Sequence, residues 1–501
     1  MNLPFDVLRD KIAGCWLGKN IGGTLGGPYE GRKELLRLSF YDPVPDKAAP
    51  NDDLDFQLVW LQMLEEKGLD IQFEELTEYW MRYLATFPWM EYGFCMQNLL
   101  LGLRPPVSGG FNNYWVDEMG SPIRSEIWAC LAPADPQRAA GMAWKDACMD
   151  HAGGEGMYGE MFWAAVQSAA FIEDDPIVLI DIGLSMIPQH CAIHRATREV
   201  LWCWNHGVPW IESRRRVLVS FGVDSATAAP QNHAFTLLAW LHGRDFGYSM
   251  CLAVNAGYDT DCTCATLGAL LGIIGGASAI PKRWADPVGE ELVPHRFTGP
   301  IQAPKTLSEL TDRTMALTRA MARKCGRQDD GQTIFLEKNV RDRLWDNRMA
   351  RDCLREDFQS DVRTRDGLQI VLHYGGEPTM TRDRPREIEI AVRHDGLRHD
   401  PKSPVEVSAP EGWSVEDAGQ GIYGQRFLLR APKLEALNEL LVKVKTPDGM
   451  VEERFMMLDR EQAGYSESRS IVPRCPFCGG MRGVCGCRTA RNDGAQEPEQ
   501  P

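Results

Sequence analysis

The spacing of apolar residues divides the chain into a long helical part and a later part rich in strands. One predicted helix carries leucines every three or four positions, on a single face: Leu54, Leu58, Leu61 and Leu64. Residues 161–171 and 266–276 repeat this spacing with many small side chains, which is typical of helices packed closely in a core. Strictly alternating β-branched runs are missing from residues 5–285. The pattern predicts an all-α region there, with another short helix over 310–321.

Beyond residue 366 the pattern changes to short apolar runs of the kind found in strands. These runs are residues 370–374, 388–392, 405–407, 426–429 and 440–444. Turn-forming pairs such as Gly375 and Gly376 separate them. Their spacing predicts a small antiparallel β-sandwich.

We therefore expect a mainly α protein in four parts. An all-α domain of the orthogonal-bundle type occupies residues 1–345, and the β-sandwich occupies residues 366–460. A cysteine-rich segment follows at 470–490, and the polar residues 491–501 have the composition of a disordered tail.

The charge and composition of the chain argue against binding to nucleic acid or to a membrane. The chain has 501 residues, a net charge of −16 and an isoelectric point near 5.2. It has no overall basic surface for nucleic acid or an anionic membrane. Neither a secretory signal nor an apolar run long enough to span a bilayer is evident. We expect a cytoplasmic protein without a membrane partner.

The fifteen cysteines form two populations. Eleven lie among apolar neighbours in the first 353 residues, where reduced, buried thiols are expected. The other four crowd into the tail: Cys475, Cys478, Cys485 and Cys487. A Cys-x-x-Cys turn followed by Cys-x-Cys predicts a structural zinc knuckle, with a redox-active thiol cluster as the alternative.

Two clusters of carboxylates are the candidate chemistry. Asp52 and Asp53 directly precede the leucine-rich helix, where acids also serve as ordinary helix caps. Asp259 and Asp261 are one residue apart, between an apolar run and the glycine-rich helix. Hard divalent ions prefer such oxygen ligands, so the two clusters together predict a two-metal site.

Several segments, in order along the chain, resemble the ADP-ribosylglycohydrolase family, the relatives of dinitrogenase-reductase-activating glycohydrolase. They are KIAGCWLG at 11–18, GGPYEG at 26–31, NDD at 51–53, GSPIR at 120–124, His151 with GEGMYG at 154–159, and GYDTD at 257–261 running into LGALLG at 267–272. Each segment is loose, but their ordered occurrence over residues 8–285 indicates the family. The β-region and the cysteine tail lie outside the resemblance.

The resemblance implies an all-α orthogonal bundle with two Mg²⁺ or Mn²⁺ ions in a central cleft. Asp52, Asp53, Asp259 and Asp261 match the family's metal ligands. Asn51 stands where a threonine ligand is common, and its amide oxygen is still a donor. Cys262 stands where a ligating threonine is common, and a thiol suits Mg²⁺ poorly. The neighbouring Thr263, or a water, is the expected substitute.

The resemblance also implies a reaction, the hydrolysis of the bond between ADP-ribose and a modified protein or small molecule. Glu30 matches a flap glutamate and is the expected general acid/base. Gly120 and Ser121 match a backbone cradle for the diphosphate. The remaining residues matching substrate contacts also have purely structural interpretations: His151, Gly154, Gly156 and Tyr158.

Three alternatives remain open from the sequence. The chain can be a non-catalytic ADP-ribose-binding module, a glycosidase for another nucleotide-like substrate, or a metal-dependent phosphoesterase. Glu30 and the four acids favour catalysis over pure binding. The leaving group and the oligomeric state do not follow from the sequence.

Overall fold

The computed structural model describes residues 2–87, 90–394, 403–447 and 449–461. Its helices are α1 (Phe5–Gly26), α2 (Asp52–Lys67), α3 (Phe73–Tyr79), α4 (Met90–Leu100), α5 (Val107–Gly110), α6 (Ser125–Leu131), α7 (Pro136–Ala147), α8 (Glu155–Ala169), α9 (Pro176–Ser185), α10 (Ala192–Asn205), α11 (Trp210–Phe221), α12 (Ala229–Leu241), α13 (Phe246–Asn255), α14 (Thr260–Gly275), α15 (Lys282–Ala285), α16 (Leu307–Lys324), α17 (Val340–Arg343) and α18 (Arg348–Cys353). Its strands are β1 (Asn2–Pro4), β2 (Thr333–Phe335), β3 (Ser360–Arg365), β4 (Leu368–His373), β5 (Thr379–Met380), β6 (Arg386–His394), β7 (Val405–Ser408), β8 (Ser414–Gln420), β9 (Gln425–Arg430), β10 (Leu437–Thr446) and β11 (Gly449–Asp459). The predicted mainly helical chain with a β-rich C-terminal region is confirmed.

Helices α1 and α14 run antiparallel in contact through glycines on both sides. A Cβ atom on Gly18 would lie 2.0 Å from the carbonyl oxygen of Gly268, and one on Gly272 would lie 1.9 Å from that of Gly14. Only residues without a side chain permit backbones this close. The pairing brings the end of α1 beside the start of α14, where Thr260 Oγ1 donates to the Gly26 carbonyl at 2.9 Å.

The strands form two larger sheets and one small ribbon. Five strands follow the order β3-β4-β6-β9-β8, and four follow the order β5-β11-β10-β7. In β4, Val371 packs into the helical core, while Ile370 and Leu372 face the core shared by the two sheets. The five-stranded sheet therefore lies between the helices and the four-stranded sheet.

The structure bears on only some of the cysteine predictions. Eleven described cysteines are free thiols, and all but Cys325 and Cys353 are buried. The cysteine-rich segment with Cys475, Cys478, Cys485 and Cys487 lies outside the described residues, as does the segment 491–501. The zinc knuckle therefore stays a prediction.

Among the described helices, none combines the length and hydropathy that a bilayer crossing requires.

Candidate metal and active site

Two helix starts and the segment after α1 carry acidic side chains to one place. Asp52 and Asp53 begin α2, Asp259 immediately precedes α14, and Asp261 lies in the first turn of α14. Glu30 lies in residues 27–38, the segment that we name the flap. The close pairing of α1 with α14 places the flap beside the two later aspartates.

The ligand atoms fall into two groups, within each of which the atoms lie within 4.8 Å of one another. The first donor group is Glu30, Asp259 and Asp261, all carboxylates. The second donor group is Asp53, Asp261 and Cys262. Asp261 belongs to both groups, which we together name the acidic centre. A carboxylate shared in this way is suited to lie between two neighbouring cation positions.

Helix capping does not explain these aspartates. Asn51 caps α2, since its Oδ1 accepts a hydrogen bond from the Asp53 amide at 2.8 Å. Asp259 stands at the start of α14, yet its side chain makes no capping hydrogen bond. Both of its oxygens are buried without a hydrogen-bond partner among the described residues, as are Asp53 Oδ2 and Asp261 Oδ1. Since orphaned buried carboxylates are costly, the centre fits a divalent cation.

Burial also shifts the protonation of these acids. It raises the pKa values of Asp53 and Asp261 to about 6, and Lys19 opposes the shift at Asp53. Burial raises the pKa values of Asp52 and Asp259 well above their ordinary range, and the neighbouring aspartates add to both shifts. Without a cation Asp52 and Asp259 therefore retain protons near neutral pH, and a bound ion displaces them.

Cys262 contributes a thiol to the second donor group. Burial raises its pKa well above the ordinary value, and the charges of Asp259 and Asp261 raise it further. A thiol that keeps its proton is a weak ligand for a hard ion. Thr263, the expected substitute, donates its hydroxyl to the Thr260 carbonyl at 3.3 Å and belongs to neither donor group.

The flap is hydrogen-bonded to the turn that carries Asp259. The Gly31 amide donates to the Tyr258 carbonyl at 2.8 Å, and the Tyr258 amide donates to the Arg32 carbonyl at 2.7 Å. Gly257 and Tyr258 both have positive φ, of 73° and 71°. A Cβ on Gly257 would lie 2.6 Å from the Arg32 carbonyl oxygen, so this approach requires glycine.

Arg214 reinforces the same junction from α11. Its Nε donates to the Ala256 carbonyl and its Nη2 to the Lys33 carbonyl, each at 2.7 Å. Its guanidinium also lies over the Tyr258 ring, 5.6 Å from the centroid. One buried arginine thereby joins the flap to the chain that leads into α14.

Comparison with known proteins identifies the family of this chain. The family model described as ADP-ribosylglycohydrolase matches residues 5–326, well over half of the 501-residue chain. The chain belongs to the ADP-ribosylglycohydrolase family. No curated protein matches this family member. A solved structure titled "ADP-ribosylglycohydrolase-related protein complex" is 20% identical with a TM-score of 0.43, covering 64% of this chain and 99% of that one.

In this ADP-ribosylglycohydrolase family member, Gly120 and Ser121 lie just before a 3₁₀ turn, Pro122–Arg124, that packs against the start of α2. The Ser121 hydroxyl donates to Glu160 Oε2 at 2.5 Å, so its side chain faces the core. The backbone amides of Gly120 and Ser121 donate to no other described residue. Free amides are what a diphosphate cradle requires, and the cradle stays a prediction.

The other predicted substrate contacts are buried. His151 is fully buried, and its Nδ1 lies 3.0 Å from Asp150 Oδ1. A Cβ on Gly154 would lie 2.1 Å from the Val116 carbonyl oxygen, and one on Gly156 would lie 2.4 Å from His151 Cδ2. Tyr158 is 5% exposed. In this conformation these residues pack the start of α8, and their role in binding stays a prediction.

A buried acid below Gly120 makes stability depend on pH. Burial raises the pKa of Glu91 to about 8. The folded pKa of Glu91 exceeds the unfolded value, so the protonated carboxyl contributes to folding stability. This contribution is complete below about pH 4.3 and is lost as the pH rises through 8. Glu91→Gln removes the cost of ionisation, which grows by about 3 kcal/mol between pH 5.5 and pH 9. We expect the variant to gain stability over the wild type between pH 5.5 and pH 9 in urea unfolding.

A matched control is Glu78→Gln, because Glu78 is an exposed acid paired with Lys67. Its stability difference from the wild type is expected to stay within about 0.5 kcal/mol at both pH values. A stability difference for Glu91→Gln that is the same at pH 5.5 and pH 9 would contradict the buried ionisation.

Two charged residues of the site were missed by sequence reasoning. Lys19 in α1 is 1% exposed, and its Nζ lies 3.3 Å from Asp53 Oδ1 and 3.1 Å from Glu126 Oε2. Glu126 in α6 is fully buried. The sequence feature that could have identified them is a lysine and a glutamate among the small and apolar residues of two core helices, where a buried charge needs a partner.

Two surface cavities of the described residues lie away from this site. One cavity of about 320 Å³ is lined by residues such as Leu38, Trp210 and Trp284, and another of about 630 Å³ by residues such as Arg198 and Trp202. Neither is lined by a residue of the acidic centre. Buried carboxylates without a hydrogen-bond partner are stronger evidence of a functional site than a surface cavity is. The acidic centre is therefore the candidate site.

Proposed function

We propose that this chain is a metal-dependent hydrolase that releases ADP-ribose, or a related ribosyl group, from a modified protein or small molecule. The bond cleaved is the N- or O-glycosidic bond at the anomeric carbon. The observation that carries this proposal is the fully buried Asp259 carboxylate, unpartnered among the described residues and close to Glu30. The family supplies the ADP-ribose class of substrate.

Glu30 has the properties of a general acid/base. As a residue it is exposed, but its carboxyl end lies in the first donor group. Removal from water raises its pKa, and the charge of Asp53 raises it further. A carboxyl that holds a proton nearer to neutral pH can protonate a leaving group and take a proton from water. Glycoside cleavage through an oxocarbenium-like state needs both transfers.

The other residues hold the substrate and a cation in place. The candidate ligands for Mg²⁺ or Mn²⁺ are Asp53, Asp259 and Asp261, with Asp52, which belongs to neither donor group, and Asn51 as further oxygen donors beside them. Such an ion polarises a water and orients ribose hydroxyls when bound. Gly120 and Ser121 would bind the diphosphate through their amides. We also propose that the catalytic unit is residues 1–345 and that residues 366–460 form an accessory domain.

The decisive experiment incubates the protein with ADP-ribosylated arginine, serine and nucleic-acid ends, in Mg²⁺, Mn²⁺ or EDTA. Mass spectrometry is expected to show free ADP-ribose that EDTA abolishes. Release of AMP instead would identify a phosphoesterase. Binding of ADP-ribose without release from any substrate would identify a binding module.

Glu30→Gln is expected to lower kcat by at least about 100-fold, the usual contribution of a positioned acid/base. The carboxyl is lost while the shape of the flap is kept. Glu34→Gln is the matched control, since Glu34 is on the same flap but pairs with Arg32 in solvent. Equal activity of the two variants would remove Glu30 from the reaction.

A further inference from the structure

Lys19 is a buried cation in the wall of the acidic centre. It lies in α1 among glycines and apolar residues, and its side chain is 1% exposed. Its ammonium lies 3.3 Å from Asp53 Oδ1 and 3.1 Å from Glu126 Oε2. Both acids are fully buried, so the three groups form a closed ionic cluster.

The ammonium of Lys19 is held in position because its partner Glu126 is itself held by hydrogen bonds. Gln57 Nε2 donates to Glu126 Oε2 at 2.9 Å, and Gln167 Nε2 donates to Glu126 Oε1 at 3.1 Å. Gln57 is itself held, because its Oε1 accepts from the Ile127 amide at 2.8 Å. Lys19 is therefore buried against a partner, Glu126, that is itself held in place, and its ammonium lies beside Asp53.

The two donor groups are unequal as cation sites because of Lys19. The first donor group has three carboxylates, and neither oxygen of its Asp259 is engaged by a described residue. In the second donor group, Lys19 engages one Asp53 oxygen, which leaves Oδ2 for an ion. Its third member, Cys262, is a soft ligand. A divalent ion there would also be repelled by the fixed ammonium.

We infer that Lys19 takes the place of a second metal ion, so that the centre binds one divalent cation, held by Asp259 and Asp261 and lying next to Glu30. The inference rests on the proposed metal-dependent function only in requiring that the centre binds a cation. Lys19 is then a positioning residue. It supplies the positive charge that holds Asp53 and keeps this carboxylate at the edge of the single ion site.

The test counts Mn²⁺ ions bound by the full-length protein after EDTA treatment, by calorimetry and electron paramagnetic resonance. Ions that survive Asp261→Asn lie outside the centre and are subtracted. The expected result is one ion per chain with an uncoupled Mn²⁺ spectrum. Two ions of comparable affinity, or a spin-coupled pair, would overturn the inference. This count on the wild type decides the matter even where a variant fails to fold.

The double variant Lys19→Met with Glu126→Gln removes the ammonium together with its partner charge and keeps both shapes. It is expected to bind a second Mn²⁺ at least tenfold more tightly than the wild type does. The matched control is Lys11→Met, because Lys11 lies on the same helix and donates to the Ile273 carbonyl at 2.7 Å, away from the centre. Its ion count is expected to stay at one, and an increase there equal to that of the double variant would also overturn the inference.

The two proposals fail differently. One bound Mn²⁺ with no release of ADP-ribose from any substrate would reject the proposed function and leave the role of Lys19 standing. Two bound ions with metal-dependent release would reject the role of Lys19 and leave the proposed function standing.

Discussion

Replacing Asp261 by asparagine is expected to abolish turnover and metal binding together. Asp261 is the member common to both donor groups, so its loss weakens every cation position in the centre. Substitutions that only support metal ligands cost about 10- to 100-fold, and a shared ligand should exceed that range. We expect a fall in kcat of at least about 1,000-fold.

The same variant is expected to leave the metal-free fold at least as stable as the wild type. Burial and then the charge of Glu30 raise the pKa of Asp261 to about 6, so at pH 8 without a cation the carboxyl is ionised at a cost to the stability of the fold. Thermal unfolding in EDTA and in Mn²⁺ separates the two effects. If Mn²⁺ raised the melting temperature of the variant as much as it raises that of the wild type, Asp261 would be excluded as a ligand.

Gly268→Ala is expected to destabilise the protein by about 3 kcal/mol or more. The added Cβ would lie 2.2 Å from the Gly18 carbonyl oxygen, a backbone atom that side-chain rotation cannot move. Helices α1 and α14 must separate to accept it. Because the flap follows α1 and Asp261 lies on α14, Mn²⁺ affinity is expected to fall as well. Urea unfolding and calorimetry measure the two effects.

Gly93→Ala provides the matched control, since a Cβ on this glycine of α4 meets nothing within 4 Å. An alanine in an open helical position is expected to be neutral or to stabilise by up to about 1 kcal/mol. If the two variants unfold at the same urea concentration, close contact between α1 and α14 does not limit stability.

Much of the fold follows from local patterns because helices and buried strands carry periodic signals. The leucine series became α2, the glycine-rich run became α14, and the five apolar runs became β4, β6, β7, β9 and β10. Strand β8 was missed, since as an edge strand with mostly exposed residues it has no apolar alternation. Strand β3 was missed because its burial changes midway, from the helical core to solvent.

The acids of the candidate site were predictable from single segments, and the resemblance to the family joined them into one site. The pairs Asp52–Asp53 and Asp259–Asp261 were predicted from their acids, but the capping role of Asn51 became visible only in three dimensions. Lys19 and Glu126 are far apart in sequence, and nothing local to either indicates that they meet at Asp53. Long-range ion pairs of this kind are set by tertiary packing, which local periodicity does not report.

The pairing of the flap with Tyr258 has a consequence for substrate choice. Glu30 and Asp259 lie on two short segments that are joined by backbone hydrogen bonds between Tyr258 and both Gly31 and Arg32. A bulky leaving group that displaces the flap must break these hydrogen bonds and loosen the turn before α14. Under the proposed function, a substrate that fits the flap poorly is therefore expected to weaken metal binding at Asp259.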